Sequence, residues 1–155
     1  MKTIQAAAAD FEAVRRIVQT TIREVYPLYY PPGAVDFFCA HHDDDRIRTD
    51  IGAGRVYLLL SGGEALGTVT VCGEEISRLF VLPPHQGKGY GRALLDFAEQ
   101  TVLADRDAVQ VDASLPAKGL YLRRGYRETE YHTLRTENGD FLCYDVMRLT
   151  KASRA

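Results

Sequence analysis

One short segment, residues 86–92 with the sequence QGKGYGR, combines the residue types that bind phosphate groups. It lies between an apolar run that predicts a strand and a second run that predicts a helix. Glycines adopt positive φ easily and let a ligand approach the backbone closely. The first N–H groups of a helix lack partners within the helix, and together with the helix dipole they favour an anion. The segment therefore predicts a phosphate-binding loop, to which Lys88 and Arg92 add positive charge.

Two other phosphate-binding motifs fit this segment less well. A dinucleotide fingerprint would use Asp112, about 20 residues further on, as the acid that binds ribose. That motif needs a tight turn after the strand, whereas Pro83-Pro84-His85 intervenes, and Arg92 occupies the position of its third glycine. A Walker-type loop needs Ser or Thr after Gly-Lys, but Gly89 follows Lys88. A glycine-rich turn without a ligand stays open as the alternative.

The composition predicts one globular domain over residues 1–155. The chain has 155 residues, of which 46% are hydrophobic, and its net charge of -2 lacks the basic excess typical of nucleic-acid binders. No apolar run reaches the length of a membrane span, and the first residues do not resemble a signal peptide. We therefore expect a cytoplasmic protein that binds neither nucleic acid nor membrane.

No metal site is predicted from the cysteines or histidines. Cys39, Cys72 and Cys143 are widely spaced, as free thiols of a reducing compartment would be. The run His41-His42, followed by three aspartates, holds potential ligands, but adjacent side chains of a helix point in different directions.

Periodicity and turn residues predict five helices and six strands. The predicted helices span 11–25, 35–40, 43–51, 89–104 and 117–124. The predicted strands span 55–60, 65–72, 76–82, 108–113, 126–136 and 141–150. The last two strands are joined by Glu137-Asn138-Gly139-Asp140, which is a hairpin signal. The fold class is α/β (α+β), with a mixed, mostly antiparallel central sheet flanked by helices.

Two blocks of the chain resemble one family. Gln86-x-x-Gly89-x-Gly91 resembles the R/Q-x-x-G-x-G/A signature of the GCN5-related N-acetyltransferases, the GNAT superfamily. The segment from Ser114 to Tyr126 resembles the later block of that family, usually written N-x-x-A-x-x-x-Y-x-x-x-G-F. The resemblance implies the GNAT fold, with a sheet of about six to seven strands, and acetyl-CoA as the acyl donor, without a metal.

The resemblance also implies which residues bind the coenzyme. The backbone of Phe80 and Val81, beside a strand bulge typical of the family, would pair with the pantetheine amides, as an added strand does. Ser114 stands where the family often has asparagine, and its hydroxyl can still form a hydrogen bond. The pyrophosphate loop carries over onto Gln86, Gly87, Lys88, Gly89, Gly91 and Arg92.

Acyl transfer to an amine needs a proton donor for the leaving thiolate and an acceptor for the proton of the amine. Tyr121 matches the general acid of the family, and Glu75 matches a glutamate base that some members have. Glu74 is the fallback base. Strand alternation predicts one common face for Glu75, Ser77, Leu79 and Val81.

The segment between the first two strands of the family often forms a substrate wall. Here that segment is aromatic, with Asp43, Asp44 and Asp45 behind it, which suits a cationic amine with an apolar part. His41 or His42 is a candidate proton relay. The candidate acceptor contacts are Tyr26, Tyr29 and His41. A packed aromatic loop beside a solvated charge run stays open as the alternative.

The resulting interpretation is an N-acetyltransferase that moves an acetyl group from acetyl-CoA to an amine, of a small molecule or of a protein, by direct attack. A non-catalytic acyl-CoA sensor on the same fold is the first alternative. Acyl transfer to a hydroxyl group, or from a longer acyl-CoA, is the second. A homodimer that pairs the edge of the C-terminal hairpin also stays open.

Overall fold

A computed structural model describes residues 1–154 of the chain. It contains a seven-stranded sheet with helices on both faces. The strands are β1 (Lys2–Gln5), β2 (Val56–Ser61), β3 (Glu64–Cys72), β4 (Glu75–Val81), β5 (Ala108–Ala113), β6 (Arg127–Arg135) and β7 (Phe141–Thr150). The helices are α1 (Phe11–Val25), α2 (Pro32–His41), α3 (Asp44–Gly52), α4 (Tyr90–Leu103), α5 (Leu115–Arg123) and α6 (Lys151–Arg154).

The sheet has the strand order β1-β2-β3-β4-β5-β7-β6. Every neighbouring pair is antiparallel except β4 and β5, which are parallel and connected through α4. A parallel connection needs a long crossover, and α4 supplies it. The single parallel pair lies in the middle of the sheet, between two antiparallel halves.

Each face of the sheet carries its own apolar core. On one face, α4 contributes Leu94, Leu95, Ala98 and Val102 to a core that also contains Tyr121 and Tyr126. On the other face, α1, α2 and α3 pack against the strands. The buried residues of α1 follow the helical spacing that the sequence predicted: Val14, Ile17, Val18 and Ile22.

The predicted fold class is confirmed, and most elements differ from their predicted bounds by a few residues. The residue pattern did not predict β1, because four residues are too short to show a period. This strand is held by its partner, with Lys2 opposite Leu60 and Gln5 opposite Tyr57. The predicted helix over 35–40 is longer than expected, since α2 begins at Pro32, a favourable residue for a first helical turn.

Strand β6 forms one edge of the sheet, where the hypothetical dimer would pair. The dimer, the single domain over 1–155 and the cytoplasmic location stay predictions, and Ala155 lies outside the described residues. Within residues 1–154, none of the helices has both the length and the apolar composition needed to cross a membrane.

Candidate active site

The parallel strands β4 and β5 separate soon after they meet. Their register contains only two pairs of residues, Glu75 with Gln110 and Ile76 with Val111. Beyond these pairs the strands diverge, and a cleft of about 210 Å³ opens between them. We name it the β4–β5 cleft. Its lining includes Leu79, Phe80, Val81, Gln86, Gly87 and Ser114.

A bulge interrupts β4 beside this cleft. Arg78 and Leu79 together oppose a single residue of β3, Val69. Arg78 has φ 47° and is the non-glycine residue with positive φ in the part of the chain that the structure describes. A bulge bends its strand and re-aims the side chains that follow. The bulge that the family resemblance implied beside Phe80 is therefore present.

The bulge changes which side chains share a face of β4. Ile76, Leu79 and Val81 all contact the core under α4, whereas Phe80 lies in the core under α1. Strict alternation would place Ile76 and Leu79 on opposite faces. The predicted common face is therefore wrong beyond the bulge, for Leu79 and Val81.

The glycine-rich loop follows β4 and leads into α4. Gly87 has φ 75° and Gly89, at the N-cap of α4, has φ 90°. The first hydrogen bond that enters α4 runs from the Ala93 N–H to the Gly89 carbonyl. The N–H groups of residues 90–92 precede that bond, so they lack partners within the helix. The exposed side chains of Lys88 and Arg92 lie in the same segment.

Gln86 ties this loop to the end of β4. Its side-chain amide donates a hydrogen bond to the Val81 carbonyl at 2.9 Å. A Cβ atom added at Gly87 or Gly89 would meet no atom within 4 Å. These two glycines are therefore required for their positive φ, and the space beside them is open to a ligand.

A second cavity, also of about 210 Å³, lies next to the cleft. We name it the acidic cavity, because Glu75 and Asp112 line it. Its other walls are mainly aromatic and aliphatic, with Phe37, Phe38, Leu134, Leu142 and Tyr144 among them. The two spaces share Tyr26, Leu79, Phe80, Ser114 and Ala117, so they are contiguous.

Tyr121 lies at the inner wall of the acidic cavity. Its side chain is buried, with 5% of the residue exposed, and its ring centroid is 5.2 Å from that of Tyr126. Burial raises the pKa of Tyr121 well above its ordinary value, and the neighbouring Tyr26 adds to that effect. None of the hydrogen bonds found within residues 1–154 involves the Tyr121 hydroxyl. The phenol is thus held protonated beside the cavity, where it can donate.

A buried polar network supports Tyr121 from behind. Tyr126 donates its hydroxyl hydrogen to Glu99 at 2.9 Å, and Arg124 donates to both oxygens of the same carboxylate at 3.0 and 2.7 Å. Bidentate pairs of this kind have a fixed geometry. The network positions the ring of Tyr126, against which Tyr121 packs.

Of the two candidate bases, only Glu75 lines the acidic cavity. Burial raises the pKa of Glu75, and the charges of Asp112 and Glu74 raise it further. Glu74 instead pairs with Arg148 at 2.8 Å, and this bond lowers the pKa of the Glu74 carboxyl. A base needs a pKa close to the working pH, which favours Glu75 over Glu74.

The two histidines are uncharged at neutral pH. Burial, and next the Arg78 charge, lower the pKa of His42 to about 3. Its Nδ1 accepts a hydrogen bond from Arg78 Nε at 3.1 Å, and Arg78 in turn pairs with Asp50. Burial also lowers the pKa of His41, whose ring stacks on Phe37 at 5.6 Å. A base with a pKa of about 3 is weak, so His42 is a poor proton acceptor.

The structure brings most of the predicted acceptor contacts together. Tyr26 and His41 line the acidic cavity, and burial raises the pKa of Tyr26 to about 12. Tyr29 is 49% exposed and is not among the residues that line either space. Its predicted contact with the acceptor has no support from this placement.

Two of the three aspartates expected behind the aromatic wall have contacts elsewhere. Asp43 caps α3 by accepting a hydrogen bond from the Arg46 N–H at 2.9 Å, and Asp44 pairs with Arg15 at 3.0 Å. The acids at the cavity are instead Glu75 and Asp112. Val109 and Val111 of β5 are buried, so strand alternation places Asp112 on the other face of the sheet. This alternation is the sequence signal that could have predicted the position of Asp112.

Two further residues of the site had no clear signal in the sequence. Arg78 joins it through the bulge, and Tyr30 accepts a hydrogen bond from the Leu115 N–H at 2.7 Å, which caps α5. Throughout the described residues, no three His, Cys, Asp or Glu side chains are grouped so that they could hold a metal ion.

The fold and the loop define a class of protein that comparisons with known proteins identify. The family model of the acetyltransferase (GNAT) domain matches residues 28–142, which is more than half of the chain. The chain therefore belongs to the GNAT acetyltransferase family, as the resemblance of its two blocks implied. No match was found among curated protein sequences.

Solved structures with the same fold share few residues with this chain. A GCN5-related N-acetyltransferase from Rhodopseudomonas palustris is 21% identical, with a TM-score of 0.87 over 96% of this chain and 94% of that chain. The PaiA N-acetyltransferase from Thermoplasma acidophilum, solved in complex with coenzyme A, is 13% identical, with a TM-score of 0.72 over 96% and 98%. YncA from Salmonella typhimurium, solved with its cofactor acetyl-CoA, is 20% identical, with a TM-score of 0.72 over 97% and 93%.

Proposed function

We propose that this protein is an acetyl-CoA-dependent N-acetyltransferase that acts on an amine. The observation that carries this proposal is the contiguity of two spaces with different chemistry. The β4–β5 cleft leads away from the glycine-rich loop, and the acidic cavity begins where the cleft ends, beside the hydroxyl of Tyr121. A donor held in the cleft would present its acyl group to an acceptor held in the cavity.

The cleft fits coenzyme A in shape and in hydrogen-bonding groups. The unpaired N–H groups at the start of α4 suit a pyrophosphate, supported by the charges of Lys88 and Arg92. The diverging edge of β4 at Phe80 and Val81 suits the amides of a pantetheine arm, which would add to the sheet as a strand. Ser114 lines the cleft from the opposite side.

Acetyl-CoA supplies a thioester, which is an acyl donor with a thiolate leaving group. On the acceptor side, Glu75 takes a proton from the amine as the new N–C bond forms. On the leaving side, Tyr121 donates its phenolic proton to the sulfur as the C–S bond breaks. Glu75 then releases its proton to solvent, and Tyr121 takes one back, so both groups return to their starting state.

The first test is calorimetric titration of the protein with acetyl-CoA. Gly89→Glu is the test variant and Gly63→Glu is its matched control, since both glycines have positive φ and open space beside them. Gly63 lies in the β2–β3 turn, outside the glycine-rich loop. We expect Gly89→Glu to abolish binding and Gly63→Glu to retain it, because a carboxylate at the start of α4 repels pyrophosphate.

The second test is release of free coenzyme A thiol in the presence of a panel of amines. Turnover that needs both acetyl-CoA and an amine supports the proposal. Tight binding of acetyl-CoA with no turnover for any amine would contradict it and support a sensor. Failure of the wild type to bind acetyl-CoA would contradict the assignment of the loop itself.

A further inference from the structure

Two carboxylates face the same cavity from neighbouring strands. The Cα of Glu75 pairs with Gln110, and Asp112 lies two residues further along β5. Val111 and Ala113 are buried in the core under α4, so Asp112 projects from the opposite face of the sheet. Both Glu75 and Asp112 line the acidic cavity.

The basic groups that line this cavity do not neutralise the two carboxylates. Arg78 is paired with Asp50. The pKa values of His41 and His42 are lowered by burial, so both rings are uncharged at neutral pH.

Basic side chains close to the cavity are also engaged elsewhere. Arg148 pairs with Glu74 at 2.8 Å, and Lys118 pairs with Asp145 at 2.8 Å. Among the residues that line the cavity, none therefore supplies an unpaired cation to the two carboxylates.

A single reacting amine accounts for only one of the two carboxylates. The amine reacts in its neutral form, after the ammonium has lost a proton to solvent, and gives one further proton to Glu75 as the N–C bond forms, which removes the charge of that carboxyl. Asp112 takes no part in that proton transfer, and a bound acceptor would cover its carboxyl group. A covered carboxylate without a partner is costly, whereas a cation on the acceptor would offset its charge.

The apolar walls of the cavity indicate the chemistry of the middle part of the acceptor, between its two ends. Phe37, Phe38, Leu134 and Leu142 give that part an apolar environment. At the inner end, the residue Tyr121 is buried while its hydroxyl is open to the cavity, which indicates where the chemistry takes place. A volume of about 210 Å³ corresponds to roughly seven water molecules, so the acceptor is compact.

We propose that the acceptor is a small dication, in which the reacting amine and a second cationic group are separated by a short apolar spacer, and that Asp112 binds the second cation. This inference rests on the proposed function, because it takes the acidic cavity as the acceptor site. Asp112 is then the specificity-determining residue, and Glu75 is the base.

The experiment compares three compounds that differ only at the far end of the spacer: 1,4-diaminobutane, butylamine and 4-aminobutanoate. The coenzyme A-loaded protein is titrated with each by calorimetry, and acetylation is then followed with acetyl-CoA. We expect binding and kcat/KM to be about tenfold better for the diamine than for butylamine, as a hydrogen bond to a charged group gives, and poorest for the amino acid. Homologues of the three compounds with one carbon more or one carbon fewer are measured in the same way, to determine which spacer length fits the cavity.

Asp112→Asn is the test variant and Glu64→Gln, at the exposed first residue of β3, is the matched control. We expect Asp112→Asn to remove the preference for the diamine by raising the KM for the diamine toward that for butylamine. Binding of butylamine by Asp112→Asn also shows that the variant is folded. Equal binding of the diamine and butylamine by the wild type, or a preference that survives in Asp112→Asn, would overturn the inference. Asp112-dependent binding of the diamine without acetylation would uphold it and contradict the proposed function instead.

Discussion

Tyr121 and Glu75 are the two side chains on which the proposed chemistry depends. They line the same cavity, and the environment of each suits a different role. Burial keeps the Tyr121 phenol protonated, as an acid requires, and raises the pKa of Glu75 toward the working range of a base. Pairs of titratable groups whose environments favour different protonation states are typical of acid–base catalysis.

Replacing Tyr121 with phenylalanine removes the proton donor and keeps the ring that packs on Tyr126. We expect kcat to fall by about 100-fold or more, while calorimetry shows unchanged affinity for acetyl-CoA. Tyr131→Phe is the matched control, since Tyr131 is 64% exposed on β6. An unchanged kcat in Tyr121→Phe would remove this residue from the mechanism.

Replacing Glu75 with glutamine tests the base through its pH dependence. The raised pKa of Glu75 means that the carboxylate forms at a higher pH than for an ordinary glutamate. We therefore expect kcat/KM of the wild type to rise with pH through that raised pKa, and Glu75→Gln to lose this limb of the profile. A profile of the same shape in both proteins would assign the base elsewhere.

The same substitution, Glu75→Gln, also changes the stability of the folded protein. A carboxyl whose pKa is raised by folding stabilises the folded protein below its ordinary pKa and loses that contribution as the pH rises through the raised value. We expect Glu75→Gln to unfold at a higher temperature than the wild type at neutral pH. The difference should vanish in acid, where Glu75 is protonated in both states. A lower melting temperature at neutral pH would show that the ionised form is stabilised by partners.

Sequence motifs predicted individual residues of the candidate site better than they predicted which residues lie together in space. Gly89 and Tyr121 were found because each belongs to a block with fixed spacing. Asp112 and Arg78 were not assigned to the site, because their places depend on the pairing of β4 with β5 and on a bulge, which no local pattern encodes. Tyr29 shows the opposite error, since an aromatic residue in the right segment projects into solvent instead of the cavity.

At the scale of elements, the bulge of β4 lies where the acidic cavity meets the β4–β5 cleft. Arg78 occupies the bulge in the left-handed region, and its guanidinium reaches His42 and Asp50 on the helical side. The next residue, Leu79, lines both spaces. A backbone conformation that L-residues disfavour is thus maintained by an ion pair and a hydrogen bond at the centre of the site.

Two substitutions of Arg78 separate backbone strain from the lost ion pair. Arg78→Ala and Arg78→Gly both remove the guanidinium, but only glycine adopts positive φ without strain. We expect both variants to be less stable than the wild type, and Arg78→Gly to be more stable than Arg78→Ala by about 1 kcal/mol. Chemical denaturation measures the order. If Arg78→Ala were the more stable variant, the residue at this position would no longer have a positive φ.

At the scale of the whole molecule, the strands of the sheet were predictable, and the way in which the sheet and the hairpin close around the candidate site was not. The predicted strands account for six of the seven in the sheet, because turn residues and hydrophobic runs mark their ends. The docking of the β6–β7 hairpin onto α2 depends on contacts between segments far apart in the chain. The Gly33 N–H donates to Asp140 Oδ2 at 2.8 Å, and Leu134 and Leu142 of this hairpin form a wall of the acidic cavity.

A double-mutant cycle tests this docking. A Cβ atom added at Gly33 would lie 1.9 Å from Asn138 Oδ1, so the Asn138 side chain must move. Asn138 would then lose its hydrogen bonds to Thr136 at 2.6 Å and Asp140 at 3.0 Å. We expect Gly33→Ala to lower the free energy of unfolding by about 1 kcal/mol and to raise KM for the amine, since the wall of the cavity shifts.

In the Asn138→Ala background the added methyl group meets no amide. We therefore expect Gly33→Ala to have no cost there, and to be slightly stabilising, because alanine is a better helix former than glycine. The coupling between the two substitutions then measures the contact between α2 and the hairpin. Gly52→Ala in α3 is the control, since a Cβ atom there meets nothing within 4 Å. Equal effects of Gly33→Ala in both backgrounds would show that the hairpin does not rest on α2 in solution, and that the acidic cavity is more open than the structure has it.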